Sequence, residues 1–190
     1  MKHVILSAVL CLAALAGHAE DYQVGDRLAK PAAAAATDYR TITFDDLMPL
    51  DWDPNAVFKT LDLSALKDND PRATEAMEKI REAWQHAPVV PALSGQKIRI
   101  AGFLVRLEGD DKFIREFLLV PYFGACIHVP PPPSNQVVHV IPREPVPVGQ
   151  DMGAVWVDGV LSLAASKTDL GDAGYRIDAV HVEPYTEDGQ

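Results

Sequence analysis

The stretch best able to support chemistry covers residues 121–136 and reads PYFGACIHVPPPPSNQ. It contains Cys126, one of two cysteines in the sequence, and His128 two residues later. His139 follows in the next apolar run. One thiolate and two imidazoles suit Zn²⁺ with an open fourth position, or copper. These three side chains are therefore the candidate metal ligands, with zinc as the expected ion.

The three candidate ligands share a face only in one strand register. If residues 125–129 are extended, Cys126 and His128 point the same way, because side chains alternate along a strand. An antiparallel return that sets His128 opposite Val137 also sets Cys126 opposite His139. A slip of one residue would move His139 to the other face. The metal hypothesis thus depends on this register.

Other side chains of the motif are assigned supporting roles. Gly124 lets the backbone approach closely, and Asn135 and Gln136 are expected to orient a histidine without binding the metal themselves. A missing ligand would come from His181, Glu116 or solvent. The remaining motif residues form either a rigid connection or a surface for a partner: Tyr122, Pro130, Pro131, Pro132 and Pro133.

The same residues also support interpretations without a metal. Cys126 is typical of a small buried hydrophobic residue, and lone histidines usually occupy hydrogen-bonded positions in a strand. A thiol-dependent enzyme would use Cys126 activated by His128 or His139, although no orienting Asp accompanies them. A docking surface would use the four prolines, because polyproline segments are preorganised ligands for aromatic grooves.

The N-terminus has the pattern of an exported protein. A basic start and an apolar run end in small residues, which predicts a signal peptide over residues 1–19. The apolar run is too short to span a bilayer comfortably. Cleavage would remove Cys11 and leave Cys126 without an intramolecular disulfide partner. The predicted location of the mature protein is the periplasm.

Charge excludes several classes of partner. The sequence has 27 acidic and 17 basic side chains and a net charge of −10. Phosphate backbones and anionic membrane surfaces would repel such a chain, so nucleic-acid binding is not expected. No later apolar run is long enough for a membrane helix, so no stable membrane insertion is expected. Residues 20–40 are predicted to be a flexible arm, and residues 41–190 a single domain.

The elements that would position the motif are one helix and five strands. Ala73, Met77, Ile80 and Trp84 recur at helical spacing and predict a helix over residues 70–87. Five apolar runs predict strands at residues 97–107, 113–120, 136–141, 154–164 and 175–183.

Glycines inside two of the predicted strands indicate bends. Gly102 and Gly159 lie in the middle of the two longest runs, where a glycine marks a bulge or a sharp turn of the strand. The predicted fold class is α+β and mainly β. Residues 41–92 form a helical or irregular part, and residues 93–190 form a small OB-like β-barrel.

The motif and its flanking strands, FLLVPYFGACIHVPPPPSNQVVHV at residues 117–140, resemble the signature of an uncharacterised bacterial family, domain-of-unknown-function family thirty-two ninety-nine. Residues 44–54 and 102–108 resemble that family too. The resemblance implies an exported protein, often encoded near an ABC-type transport system with a large extracytoplasmic permease, and some such gene clusters look zinc-responsive. It brings no enzymatic activity and no catalytic residue. The family motif has matching positions for Cys126, His128, Asn135 and Gln136.

Taken together, these features predict a non-enzymatic periplasmic accessory protein that binds zinc through Cys126, His128 and His139. Its expected partner is an ABC-type permease or a periplasmic metal-handling protein. The alternative is a protein-interaction module of such a transport system that binds no metal. A further alternative is a thiol-dependent enzyme that uses Cys126.

Overall fold

A seven-stranded mixed sheet makes up most of the protein in the computed structural model, which describes residues 22–29, 38–59, 71–149 and 153–185. The strands are β1 (Arg40–Ile42), β2 (Lys97–Gly109), β3 (Phe113–Val120), β4 (Val138–Pro142), β5 (Val146–Pro147), β6 (Ala154–Lys167) and β7 (Asp172–Pro184). The helices are α1 (Ala56–Lys59) and α2 (Pro71–Gln85), with 3₁₀ turns at Phe44–Leu47, Pro91–Leu93 and Ser134–Gln136. The predicted signal peptide and residues 30–37 of the predicted arm lie outside the described residues.

The strand pairings return to their starting point. The sheet order is β1-β2-β6-β7-β4-β3-β5, and β2 also pairs with β3. Five strands therefore form a closed cycle of pairings: β2, β6, β7, β4 and β3. β1 runs parallel to β2 and β4 runs parallel to β7, whereas the other pairs are antiparallel.

The mainly β class is confirmed, and all five predicted strands are present. β4 begins at Val138, two residues later than predicted, because Ser134–Gln136 form a 3₁₀ turn. β1 and β5 have three and two residues, too few to show a hydrophobic period. The predicted helix is confirmed as α2, although its predicted cap, Asp70, lies outside the described residues.

The predicted bend at Gly159 coincides with a register shift between β6 and β7. A Cβ atom at Gly159 would lie 2.5 Å from Cγ2 of Ile177 and 2.6 Å from the carbonyl oxygen of Asp178. At Gly102 the prediction was incomplete, since the register shifts of β2 fall between Arg106 and Gly109. The glycine is needed there for close packing instead, because its Cβ would lie 2.8 Å from Cγ of Leu119.

Apolar side chains cover both faces of the sheet near the motif. Alternate residues of β3 point to opposite faces: Phe117 and Leu119 join the main core, whereas Leu118 and Val120 join a second apolar cluster. Ala125 of the motif is fully buried in that second cluster, and Cys126 packs against it. The motif therefore folds back over the strand that precedes it. Because both faces are buried there, β3 ends in a continuous apolar run rather than an alternating one.

One buried ion pair crosslinks three strands. Arg99 of β2 donates to Oδ2 of Asp158 on β6 at 2.8 Å and also pairs with Glu183 on β7. Only 5% of the Arg99 side chain and 8% of the Asp158 side chain are exposed. The Arg99 guanidinium also stacks 4.6 Å from the ring centroid of Trp156. Removal of Arg99 would leave the buried Asp158 carboxylate without its ion-pair partner, and removal of Asp158 would leave the Arg99 guanidinium with Glu183 alone.

Candidate functional site

The motif forms a compact turn and not the extended strand predicted for residues 125–129. Gly124 has φ of 81° and Cys126 has φ of 66°, so the chain reverses at both positions. The carbonyl oxygen of Gly124 then accepts hydrogen bonds from the amides of Ile127, His128 and Val129, the shortest at 2.8 Å. A left-handed φ is unusual for a residue with a side chain. Cys126 and His128 are therefore not two positions on one face of a strand, as the extended conformation would have made them.

The predicted register of the return strand was wrong. β4 pairs with β3, where His139 lies opposite Leu118, and on its other side with β7, where His139 lies opposite Arg176. His139 therefore cannot also pair with Cys126. The physical reason is the turn at Gly124, which leaves the apolar β3 strand as the neighbour of the returning chain.

His139 is engaged by other side chains. Its Nε2 is hydrogen-bonded to Oε2 of Glu116 at 3.1 Å, and its Nδ1 is hydrogen-bonded to the hydroxyl of Ser166 at 3.1 Å. His181 similarly contacts Glu183 at 3.1 Å. A metal at either nitrogen of His139 would have to replace one of these hydrogen bonds.

The structure does not test whether zinc binds to the predicted ligands, and it describes each of them in another local setting. Among them, no three His, Cys, Asp or Glu side chains lie close enough together to hold a metal ion. Zinc binding by Cys126, His128 and His139 therefore stays a prediction from the sequence. Elemental analysis of the purified protein tests it. About one ion per chain, lost in a Cys126→Ala/His128→Ala double variant, would establish the site, and equal content in both proteins would reject it.

Asn135 and Gln136 bind backbone carbonyl groups rather than a histidine. Both are buried, and each reaches the segment between β1 and β2. Nδ2 of Asn135 donates to the carbonyl oxygen of Pro88 at 2.8 Å, and Nε2 of Gln136 donates to that of Phe44 at 2.7 Å. The two amides therefore fix the end of the motif against the irregular part of the domain. Buried carbonyl groups need such partners.

Residues 22–29 contact the motif from the opposite side. The ring of Tyr22 lies 4.9 Å from that of Phe103 and 6.0 Å from that of Phe123. The guanidinium of Arg27 lies 5.6 Å from the centre of the Tyr122 ring. The hydroxyl of Tyr122 donates to the carbonyl oxygen of Pro130 at 3.4 Å. Tyr122 is thus held between this segment and the start of the proline run.

Burial raises the pKa of the Cys126 thiol to about 11. A nucleophilic or metal-binding cysteine acts as its thiolate, and an activated one has a lowered pKa. The surroundings of Cys126 favour the protonated form, which does not support the thiol-dependent enzyme. The geometry instead agrees with the interpretation of Cys126 as a small, largely apolar side chain.

The raised pKa gives a first testable expectation. Below its pKa the thiol stays protonated, so a shift from 9.0 to about 11 leaves roughly a hundredfold less thiolate at neutral pH. Alkylation of Cys126 by iodoacetamide at pH 8 should be at least about tenfold slower in the folded protein than in denaturant. Mass spectrometry of the peptide that contains Cys126 measures both rates. A faster reaction in the folded protein would restore the enzyme hypothesis.

A groove of about 570 Å³ opens between α2, the motif and the turn that joins β6 to β7. Its apolar lining comes from Met77, Ile80, Trp84, Cys126, Pro130, Pro131, Pro132 and Leu170. Cys126 lies next to Gly171, since a Cβ at that glycine would be 3.5 Å from the sulfur, an ordinary contact distance. Pro133 is buried and starts the 3₁₀ turn, so it does not line the groove. Of the four predicted prolines, three thus face the same space.

The sequence identified two walls of this groove but not the third. Residues 168–172 read TDLGD, and Oγ1 of Thr168 donates to the carbonyl oxygen of Gly171 at 2.7 Å. Thr, Asp and Gly residues are typical of turns. They indicate that the chain turns between two strands, but they do not indicate which part of the protein the turn contacts. Only the pairing of β7 with β4 brings this turn to the motif.

Comparisons with known proteins point to one family. The family model DUF3299, a protein of unknown function, matches residues 44–184. A crystal structure of a DUF3299 family protein from Pseudomonas aeruginosa PAO1 has 34% sequence identity and a TM-score of 0.62, covering 79% of this chain and 98% of that chain. An OBody bound to hen egg-white lysozyme has 17% identity and a TM-score of 0.28, covering 50% and 84%. No curated protein matches the sequence.

Proposed function

The chain belongs to the DUF3299 family of proteins of unknown function, and from that premise we propose that it is an exported accessory protein that docks a partner protein in the groove beside the proline run. The groove combines a helix face, a rigid proline segment and a fixed turn. Such a concave, mostly apolar surface with a few polar groups is the usual form of a binding site. The proposed function is therefore the binding of a partner protein in this groove.

Met77 is the observation that carries this proposal. The apolar stripe of α2 includes Ile80, which is 4% exposed, and Met77, which is 59% exposed and faces the groove. An unbranched, polarisable methionine is common at surfaces that accept partner side chains. The uncovered part of the stripe leaves an apolar surface beside Pro130 and Pro131, both of them exposed. A partner side chain placed there would complete the packing of α2.

The closed cycle of strand pairings supports a small OB-like β-barrel as the fold that carries this groove. In a closed barrel every strand of the ring pairs with a neighbour on each side. β2 does so with β3 and β6, and these pairings complete the ring. Loops at one end of an OB-fold commonly bind ligands. The turn between β6 and β7 lines the groove, in agreement with that use. The analogy to OB-folds supports the location of the binding site, whereas the type of partner is argued from the residues that line the groove.

The proposed partner is the extracytoplasmic part of an ABC-type permease. The pattern of residues 1–19 supports export, and the family resemblance supports a transport system. Within the described residues, none of the helices is long and apolar enough to span a membrane. A soluble permease domain would meet the exported chain in the periplasm.

The proposal is tested by binding of a purified permease ectodomain. Met77→Gln removes the apolar side chain without a change of charge, and glutamine keeps a similar helix propensity. We expect an affinity about tenfold lower, because a central apolar contact commonly contributes more than 1 kcal/mol. Val180→Gln is the matched control, since Val180 is 44% exposed on β7 and does not line the groove. An equal loss in both variants, or in neither, would reject the groove as the docking site.

A further inference from the structure

We infer that the groove takes a segment of a partner protein in which a lysine or arginine lies close to a large apolar side chain, and that Asp169 and Asp172 recognise the basic group. This inference rests on the proposed docking function and specifies the chemistry of the occupant. It follows from the balance of charge around an otherwise apolar groove.

Among the described residues, four charged side chains line the groove, and two of them form an ion pair with each other. Glu78 and Arg81 form an ion pair one helical turn apart on α2. Asp169 and Asp172, on the opposite wall, form no ion pair with the described residues. Acidic side chains are thus in excess in the groove, and the excess lies on the wall opposite α2, although Lys167 outside the groove is the cross-strand neighbour of Asp172.

The turn that bears these carboxylates is fixed before any partner binds. Oγ1 of Thr168 donates to the carbonyl oxygen of Gly171 and accepts from the amide of Gly171 at 3.1 Å and that of Leu170 at 3.3 Å. Asp172 is the first residue of β7 and pairs with Lys167 in the sheet. A preorganised turn loses little entropy when a partner binds. The two carboxylates can therefore contribute to recognition without a large ordering cost.

The apolar lining of the groove favours a basic side chain over a small hydrated metal ion. Met77, Trp84 and Leu170 line the same groove as the two carboxylates, so a small hydrated ion would leave most of the groove unfilled. A basic side chain carries an apolar stem below its charged end, and a neighbouring apolar side chain would occupy the groove floor. The net charge of −10 also attracts a basic segment during the encounter.

The inference is tested with a library of random dodecapeptides displayed on phage and selected on the purified full chain. Selected peptides should contain Lys or Arg within about four residues of a large apolar residue. Synthetic copies of them should bind about fivefold more weakly to an Asp169→Asn/Asp172→Asn double variant, because two exposed ion pairs, each of modest strength, would be lost. The difference should shrink as the salt concentration rises.

The control is a Glu108→Gln/Asp111→Asn double variant, which changes the net charge equally at exposed positions outside the groove. It should bind the same peptides nearly as well as the wild type. Selected peptides without a basic residue, or an equal loss of affinity in both double variants, would overturn the inference. If Met77→Gln still weakens the binding of those peptides, the proposed docking function is kept. If Met77→Gln weakens the binding of none of the selected peptides, both the inference and the proposed docking function are overturned.

Discussion

A Gln136→Ala variant should unfold about 3 kcal/mol more easily than the wild type. Gln136 is 5% exposed, and its amide donates to the carbonyl oxygens of Phe44 and Asn135. Alanine would leave the buried Phe44 carbonyl without its partner, at a cost of roughly 1–3 kcal/mol. The lost side-chain volume adds a cavity and a further cost of similar size. Chemical denaturation followed by tryptophan fluorescence measures the difference.

Two comparisons separate this anchoring role from a general sensitivity to substitution. Gln23 is exposed, so Gln23→Ala should change stability by less than about 0.5 kcal/mol. Gln136→Glu keeps the size of the side chain but places a carboxylate against two carbonyl oxygens, so it should be at least as destabilising as alanine. A stable Gln136→Ala protein would mean that the motif is held by its apolar contacts alone.

An Asp158→Ala variant should lose about 3–5 kcal/mol of stability, since it breaks the most deeply buried ion pair among the described residues. Arg99 would keep Glu183, whose side chain is 40% exposed, as its remaining carboxylate partner. The buried guanidinium would then depend on one partly exposed carboxylate, which compensates its charge less well than the buried Asp158 does. Thermal unfolding should show a midpoint lower by roughly 6–20 degrees, because each kcal/mol shifts it by about 2–4 degrees in domains of 150–250 residues.

Asp178 provides the matched control for this pair. It also lies on a strand and accepts from an arginine, Arg176, at 2.7 Å, but 65% of its side chain is exposed. Exposed ion pairs contribute roughly 0–1 kcal/mol, so Asp178→Ala should be nearly neutral. A similar loss in both variants would show that burial does not determine the strength of the Arg99 pair.

The strands could be predicted because their signals are local. Apolar runs and the turn residues between them marked β2, β3, β6 and β7, and Gly159 marked a bend that the structure shows as a register shift. The spacing of Ala73, Ile80 and Trp84 marked α2 for the same reason. β1 was not among the five predicted strands; it has three residues and exists through its pairing with β2. Short strands depend on their neighbours and have little pattern of their own.

The site was predicted less well because its geometry depends on contacts far apart in sequence. The motif itself was recognised, and its prolines were assigned to a rigid surface. Its shape depends on left-handed backbone at Gly124 and Cys126, and nothing in the type of Cys126 indicates that conformation. The wall at residues 168–172 reaches the motif through the pairing of β7 with β4. Roles for Asn135 and Gln136 were missed since their partners, Pro88 and Phe44, lie 47 and 92 residues away.

Photocrosslinking inside cells that export the chain tests partner docking in the groove most directly. A benzoylphenylalanine at position 77 would replace the exposed methionine of the groove, and one at position 113 would replace Phe113, which is 41% exposed and lies outside it. We expect a covalent adduct with the permease ectodomain from position 77 and none from position 113. Position 77 without an adduct, or the same adduct from both positions, would contradict docking in this groove.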